Sequence, residues 1–173
     1  MARNGAMAVL ALAGLTAFAG YQYAHATPSS PDELVNKSAP DFSLPRVGGG
    51  TVSLQDLRGK IVVLDFWYRA CPWCLRAMPQ VNQLASDYKY KNVVVVGMNI
   101  DPNEGDARAV ISQLGLRYAS VRASRETVRA FGVEGYPTAI VIDQQGTVRA
   151  VHVGYSDSLR DDLAADIKPL LKP

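Results

Sequence analysis

Residues 62–80 read VVLDFWYRACPWCLRAMPQ and combine the strongest fold signal in the chain with its two cysteines. The continuous apolar and aromatic run over 61–68 is typical of a central strand that is buried on both faces. Beyond Cys71, apolar residues recur at spacings of three and four, which predicts a helix; they are Leu75, Met78, Val81, Leu84 and Tyr88. Cys71 and Cys74 therefore lie where a buried strand gives way to a helix.

The rest of the chain alternates predicted strands and helices. Two short strands around a Gly-rich turn are expected over 41–54, and a second buried strand over 92–101. The pattern then predicts helices over 106–116 and 124–132, a hairpin over 138–154, and a final amphipathic helix over 158–171. This order predicts an α/β fold in which a central mixed β-sheet is flanked by helices on both faces.

Composition is that of an ordinary globular protein. A chain of 173 residues that is 48% hydrophobic can bury a sizeable core. Such a core needs no disulfide scaffold, and a bridge that closes a very short loop restrains the unfolded chain little. With 18 basic and 16 acidic residues the net charge is +2, and no basic run is interleaved with aromatic residues. We therefore expect no nucleic-acid partner.

The N-terminus has the pattern of an export segment. Arg3 precedes a short apolar stretch, and Ala24–Ala26 reads AHA, so residues 1–26 are predicted to be a cleaved signal peptide. The alternative is an N-terminal anchor in the inner membrane, because the uncharged stretch 5–24 is just long enough to span a bilayer. Both interpretations give a periplasmic or otherwise extracytoplasmic domain, in a compartment where disulfides persist. The Pro- and Ser-rich segment 27–38 is predicted to be a linker, and residues 39–173 the folded domain.

The position of the cysteine pair favours redox chemistry over metal binding. A structural zinc site normally has four ligands, and the chain offers two cysteines and two histidines, one of them inside the predicted signal peptide. No metal site is therefore expected. A helix N-terminus presents unpaired N–H groups that favour a thiolate, and Pro72 suits its first position. Cys71 is predicted to be the exposed nucleophile and Cys74, one turn on, the resolving thiol.

Two further residues are candidates for the site. Asp65 lies within the predicted buried strand, where burial raises a carboxyl pKa, so it is a candidate to take the proton of Cys74. An ion pair between Asp65 and a lysine such as Lys60 is an equal alternative. Pro137 stands just before a predicted strand, one of the places that a sheet allows proline. The residues alone do not connect Pro137 to the cysteines.

With these pieces together, the chain resembles the thioredoxin superfamily, and in particular the exported TlpA/ResA/CcmG-like thiol-disulfide oxidoreductases of the redoxin and AhpC/TSA group. The resemblance covers most of the chain after the N-terminal segment and rests on APDFSL, VSLQDLRGKIVVLDFW, CPWC, VVVVGMNID, GYPTAIVID, DQQGTV and VHVG. It implies a thioredoxin-like fold with four or five sheet strands, an N-terminal β-hairpin and an inserted strand and helix over 101–122.

The resemblance also implies a function. Cys71 and Cys74 would form a reversible disulfide that serves exported protein thiols and disulfides without a cofactor. The activity would be a reduction, for example in cytochrome c maturation, recharged by a membrane electron donor. Pro137 would be cis and face the disulfide, Tyr136 would offer backbone groups to a bound substrate strand, and Trp73 is a further candidate substrate contact.

The sequence departs from the family pattern at several positions, and two other functions stay open. Ala70 stands where a Trp usually precedes the first cysteine, and Asp65 where many exported members carry Asn. A thiol peroxidase is one alternative, but that class usually has Thr three residues before its reactive cysteine, where this chain has Tyr68. The other alternative is a copper-binding module that uses both cysteines and His152, since Cu(I) accepts soft thiolate ligands.

Overall fold

The computed structural model describes residues 27–171, and the predictions for residues 1–26 lie outside that range. Seven strands form in the described chain: β1 (Ser43–Pro45), β2 (Thr51–Ser53), β3 (Ile61–Trp67), β4 (Val93–Asn99), β5 (Ala119–Arg122), β6 (Thr138–Ile142) and β7 (Val148–Val153). Its four α-helices are α1 (Pro72–Asp87), α2 (Glu104–Leu114), α3 (Arg125–Ala130) and α4 (Leu159–Ile167). The predicted alternation of strands and helices is confirmed.

Five strands build the central sheet, in the order β5-β4-β3-β6-β7. β4 runs parallel to both β3 and β5, whereas β6 is antiparallel to both β3 and β7. Every residue of β3 is buried, as expected for a central strand with neighbours on both sides and helices on both faces. The α1 helix begins shortly after β3 ends, so the cysteines lie at one end of the central strand.

The helices cover both faces of this sheet, as predicted. On one face, Val81 of α1 and Leu163 of α4 pack with Ile61 and Val63 of β3. On the opposite face, Phe66 of β3 lies against Phe131, the residue that follows α3, with ring centroids 5.6 Å apart. Alternate residues of β3 thus pack into two separate cores, because successive side chains of a strand point to opposite faces of the sheet.

The predicted N-terminal hairpin and the inserted segment meet at one edge of the sheet. β1 and β2 pair antiparallel, and Arg46, the residue after β1, forms an antiparallel bridge with Val121 of β5. The inserted segment supplies α2 and β5, as the family resemblance implies. The hairpin therefore covers part of the free edge of β5, which would otherwise expose unpaired backbone groups.

The segment 27–38 is not the free linker that its composition predicted. Pro31–Leu34 forms a 3-10 turn whose Leu34 is buried in the core. The Asn36 N–H donates to the Val148 carbonyl at 2.8 Å, and Val148 donates back to Lys37 at 3.0 Å. The prolines and serines that suggested a linker supply the turn and its N-cap, Ser30. The folded unit thus begins before Ala39.

Within residues 27–171, no helix has both the length and the apolar character needed to cross a bilayer.

Candidate functional site

The first cysteine caps the helix that follows the central strand. Cys71 has the extended backbone of an N-cap residue, and Pro72 occupies the first helical position, where its missing N–H leaves no bond unmade. The Cys74 N–H donates to the Cys71 Sγ at 3.0 Å. This amide N–H and the positive end of the helix dipole both act on the same sulfur, and both would stabilise a thiolate there.

Cys71 and Cys74 form a disulfide, with their Cα atoms 5.2 Å apart. The predicted pairing is therefore present. Cys71 was predicted to be exposed, and this prediction was wrong for the disulfide form. Cys71 is only 3% exposed and Cys74 is 0% exposed. The pair belongs to an apolar cluster with Trp67 and Met78, and Tyr68 is among the partly buried residues that pack against this cluster. Both cysteines are therefore buried in the disulfide form.

Asp65 is buried at 2% exposure and has no ion-pair partner among residues 27–171. The alternative of an ion pair with Lys60 is therefore wrong. The Tyr118 hydroxyl donates to its carboxylate at 3.0 Å. Burial raises the pKa of Asp65 from its ordinary value of 3.8 to about 6, and the bond from Tyr118 opposes part of that rise. Near neutral pH this carboxylate is ionised yet basic enough to accept a proton.

Tyr118 was not predicted from the sequence. It precedes β5 in the inserted segment, 53 residues from Asp65, and no local pattern links the two. Burial and the neighbouring Asp65 charge raise the pKa of Tyr118, so its hydroxyl keeps its proton and acts as a donor. The one signal in the sequence is a tyrosine just before the strand of the inserted segment. Only the structure shows that this strand, β5, lies beside β4.

Gly97 makes room for the polar groups around Asp65. It lies directly opposite Asp65 in the parallel β3–β4 pair. A Cβ at Gly97 would lie 2.5 Å from the Ser120 Oγ and 2.9 Å from the Trp67 Nε1. Neither of these buried atoms has a hydrogen-bond partner among the described residues. A side chain at this position would therefore displace the groups beside the buried acid.

The loop before β6 lies next to the disulfide cluster. The Tyr136–Pro137 peptide bond is cis, as the family resemblance implies. Tyr136 packs against the cluster that contains Cys71 and forms an edge-to-face pair with Tyr68, with ring centroids 5.3 Å apart. The Pro137 carbonyl accepts a bond of 2.8 Å from the Gly154 N–H. Two of the predicted substrate contacts, Tyr136 and Pro137, therefore stand side by side in this loop.

Trp73, the third predicted substrate contact, lies on the surface between the two cysteines. Its side chain is 54% exposed, and it stacks on Tyr155 at 5.5 Å between ring centroids with an interplanar angle of 27°. Tyr155 follows β7 and was not among the predicted site residues. The stack explains how so large an exposed side chain is held in one place.

The ligands of the copper alternative are not assembled. His152 of β7 shares a hydrogen bond of 2.7 Å with Asp166 of α4. Across residues 27–171, no three side chains from His, Cys, Asp and Glu come together as a potential metal site. Cys71, Cys74 and His152 thus do not form a three-ligand set.

Comparison with known proteins identifies the family. The family model described as AhpC/TSA matches residues 35–151. Thiol-disulfide oxidoreductase ResA of Bacillus thuringiensis is 30% identical over 141 residues, which cover 81% of this chain and 80% of ResA. Thioredoxin-like protein YneN of Bacillus subtilis is 33% identical over 121 residues, covering 68% of this chain and 71% of YneN.

A solved structure gives the same result. The crystal structure of a Chlorobium tepidum chain assigned as the thiol:disulfide interchange protein DsbE superposes with a TM-score of 0.75 at 35% identity, covering 80% of this chain and 98% of that one. Together with the disulfide at the start of α1, these matches show that the chain belongs to the AhpC/TSA family and, within the thioredoxin superfamily, to its TlpA/ResA/CcmG-like thiol-disulfide oxidoreductases.

Proposed function

We propose that this chain reduces disulfides of exported proteins, with Cys71 as nucleophile, Cys74 as resolving thiol and Asp65 as proton acceptor. The observation that supports this most strongly is the hydrogen bond from the Cys74 N–H to the Cys71 sulfur at a helix N-terminus. This arrangement makes Cys71 the better thiolate once the pair is reduced. The names of the relatives, which describe thiol-disulfide exchange, agree with it.

The first step is attack by the Cys71 thiolate on one sulfur of the substrate disulfide. A bond forms between that sulfur and the Cys71 Sγ, the substrate S–S bond breaks, and the second substrate sulfur leaves as a thiolate. Approach to Cys71 requires room, because this residue is only 3% exposed in the disulfide form. The Tyr68–Tyr136 pair stands against the same cluster, so side-chain movement there is the expected route of access.

The second step releases the substrate. Cys74 gives up its proton and attacks the Cys71 Sγ, which restores the Cys71–Cys74 disulfide and frees the first substrate sulfur as a thiolate. Two electrons have then passed from the protein dithiol to the substrate. Asp65 is the candidate acceptor of the Cys74 proton, because it is ionised near neutral pH with a pKa raised to about 6. It belongs to β3, whose Ile61 and Val63 pack with α1, the helix that carries Cys74.

The substrate would bind beside the cis-proline loop. Tyr136 lies outside β6, and within residues 27–171 its N–H and C=O make no backbone hydrogen bond of a turn or loop. They are thus free to pair with an extended substrate segment, in the manner of strand addition. Trp73 would contact the same segment, since it is exposed and lies between the two cysteines in the chain.

We place the reaction outside the cytoplasm on the pattern of the N-terminal sequence. Residues 1–26 would export the chain, either as a cleaved signal peptide or as an inner-membrane anchor through residues 5–24. In an oxidising compartment the dithiol must be regenerated by a second dithiol, which we assign to a membrane electron donor. Apocytochrome c, whose haem-binding cysteines must be reduced, is one exported protein that would suit the chemistry.

Trapping tests the proposal. Cys74→Ala leaves Cys71 able to attack and removes the thiol that releases the substrate, so mixed disulfides with exported proteins should accumulate. The matched control is Cys71→Ala, which retains Cys74 and should trap nothing. Reduction of insulin by the wild-type dithiol should disappear in both variants. Equal trapping by the two variants, or insulin reduction without Cys71, would contradict the assigned roles.

A further inference from the structure

The surface next to the disulfide contains a feature that the exchange reaction itself does not need. Trp73, Arg76 and Tyr155 form what we call the aromatic–arginine face. Trp73 is 54% exposed and stacks on Tyr155. The guanidinium carbon of Arg76 lies 5.9 Å from the Trp73 ring centroid and 5.1 Å from that of Tyr155. A cation is thus held over two aromatic rings, in the first turns of the helix that begins at the cysteines.

The charge of Arg76 is not used within the described chain. Among residues 27–171, Arg76 makes no ion pair and no side-chain hydrogen bond, whereas Arg69 and Arg160 are paired with Asp106 and Asp87. The carboxylate of Asp157 is near this face, but it accepts the Tyr155 hydroxyl. The aromatic–arginine face therefore presents a cation whose N–H donors are free for a partner.

The way Arg76 is held suits recognition of a carboxylate. A guanidinium that lies over aromatic rings keeps its N–H groups in its own plane, where they can bind both oxygens of a carboxylate. Contact with two rings also restricts the long side chain before binding, so less conformational entropy is lost when a partner docks. A lysine would lack the planar pair of donors, and a freely moving arginine would lack the restraint.

The position of the face relates it to the substrate. Trp73 lies between Cys71 and Cys74, and Val153, a second exposed apolar residue, pairs with Thr138 directly after the cis-proline loop. Tyr155 follows two residues later. We therefore expect a chain segment whose cysteine is attacked by Cys71 to pass over or beside the aromatic–arginine face.

We propose that the aromatic–arginine face selects protein substrates that carry an Asp or Glu side chain close to the reacting cysteine. The carboxylate would bind the Arg76 guanidinium, while apolar atoms of the same segment cover Trp73. This inference rests on the proposed function, since it assumes that Cys71 attacks a protein disulfide. It deepens that function by naming a chemical preference of the substrate.

The test compares rates of attack on short peptides. Each peptide carries one cysteine in a disulfide with 2-thiopyridone, an uncharged chromophore, and has Glu, Gln or Lys at one flanking position. The position is moved along the set of peptides, and the rate of thiopyridone release by the reduced protein is measured. The quantity compared is the Glu-to-Gln ratio, so a general effect of a substitution on the thiols cancels.

At low salt, the wild-type protein should react about fivefold faster with the best Glu peptide than with its Gln counterpart, and more slowly with Lys. The ratio should fall towards one at about 0.5 M salt, where exposed charges are screened. Arg76→Gln should reduce it to about one, and Arg76→Lys should keep only part of it. The control is Arg129→Gln, which removes the same charge from α3 on the opposite face of the sheet and should keep the full ratio.

Equal rates for Glu and Gln peptides at every position in the wild type would overturn the inference. So would a ratio that survives Arg76→Gln, or one that Arg129→Gln lowers equally, since net charge would then explain it. Failure of the proposed function looks different: no peptide would release thiopyridone faster with the wild-type protein than with Cys71→Ser.

Discussion

Replacing Asp65 by Asn should stabilise the oxidised protein by an amount that depends on pH. The Asp65 carboxyl is 2% exposed, and its pKa rises from 3.8 to about 6 because burial disfavours the charged form. Between these two values the folded chain holds a proton that the unfolded chain has released. Stability therefore falls as pH rises from about 4 to about 6 and stays low above that window.

The magnitude follows from the size of this rise. One pKa unit corresponds to about 1.4 kcal/mol, so ionised Asp65 lowers the free energy of unfolding by about 3 kcal/mol at neutral pH. Asn keeps the shape of the side chain, can still accept the Tyr118 hydroxyl, and has no charge to bury. The variant should therefore gain about 3 kcal/mol on the wild type between about pH 3.5 and pH 7.5.

Urea denaturation across this pH range, followed by circular dichroism, measures the difference. The disulfide is kept intact, because bonded cysteines do not titrate and Asp65 can then be observed without them. Glu134→Gln is the control, since it removes an exposed acid from a loop in place of the buried one. A difference between Asp65→Asn and wild type that stays constant with pH would refute the reasoning, and so would one that shrinks as pH rises.

Three further predictions concern the surroundings of the site. Tyr118→Phe removes the donor to Asp65 and should raise the Asp65 pKa by about one to two units, because a hydrogen bond to a charged group contributes about 1.5–3 kcal/mol; carboxyl carbon NMR across a pH titration would show it, and an unchanged or lowered pKa would contradict it. Gly97→Ala places a Cβ 2.5 Å from the Ser120 Oγ and should destabilise the fold by about 1–3 kcal/mol in urea, whereas Gly105→Ala on the exposed surface of α2 should change stability by less than about 1 kcal/mol; equal effects would remove the role given to Gly97. Arg160→Ala breaks the ion pair with Asp87 that joins α4 to α1, and since both side chains are partly exposed the loss should be at most about 1 kcal/mol; a larger loss in the urea midpoint would show that this contact matters more than its exposure implies.

Local patterns in the sequence were sufficient for the central strand and the helix after it. The unbroken apolar run of β3 reflects a strand that is buried on both faces, and the three-and-four spacing of α1 reflects a helix that is buried on one face. Both patterns can be seen within a few consecutive residues. The same reasoning placed Cys71 at a helix N-terminus and predicted burial of Asp65. These were the parts of the site that depend on the chain immediately around them.

Contacts between distant segments could not be predicted in this way. The Tyr118–Asp65 bond joins residues 53 positions apart, and Tyr155 reaches Trp73 only because the turn after β7 returns to the start of α1. The linker prediction was wrong for a related reason. A polar, proline-rich segment shows its true role only when Leu34 is seen in the core and Asn36 is seen bonded to Val148.

The limited exposure of Cys71 also depends on distant residues. Its position at the end of a strand suggested an open surface, but Tyr136 from the cis-proline loop packs against the same cluster. The family resemblance predicted the cis bond and the neighbourhood of this loop, which the residues alone did not. It did not predict how closely aromatic side chains would pack around the disulfide.

The most direct test is the acidity of the two thiols in the reduced protein. Iodoacetamide alkylation as a function of pH, with the modified cysteine identified by mass spectrometry, gives a pKa for each. The helix N-terminus and the hydrogen bond from the Cys74 N–H to the Cys71 sulfur should lower the Cys71 pKa below that of a free thiol, with Cys74 reacting later and at higher pH. A Cys71 pKa near about 8.5, the value of a free thiol, or modification of Cys74 before Cys71, would contradict the account.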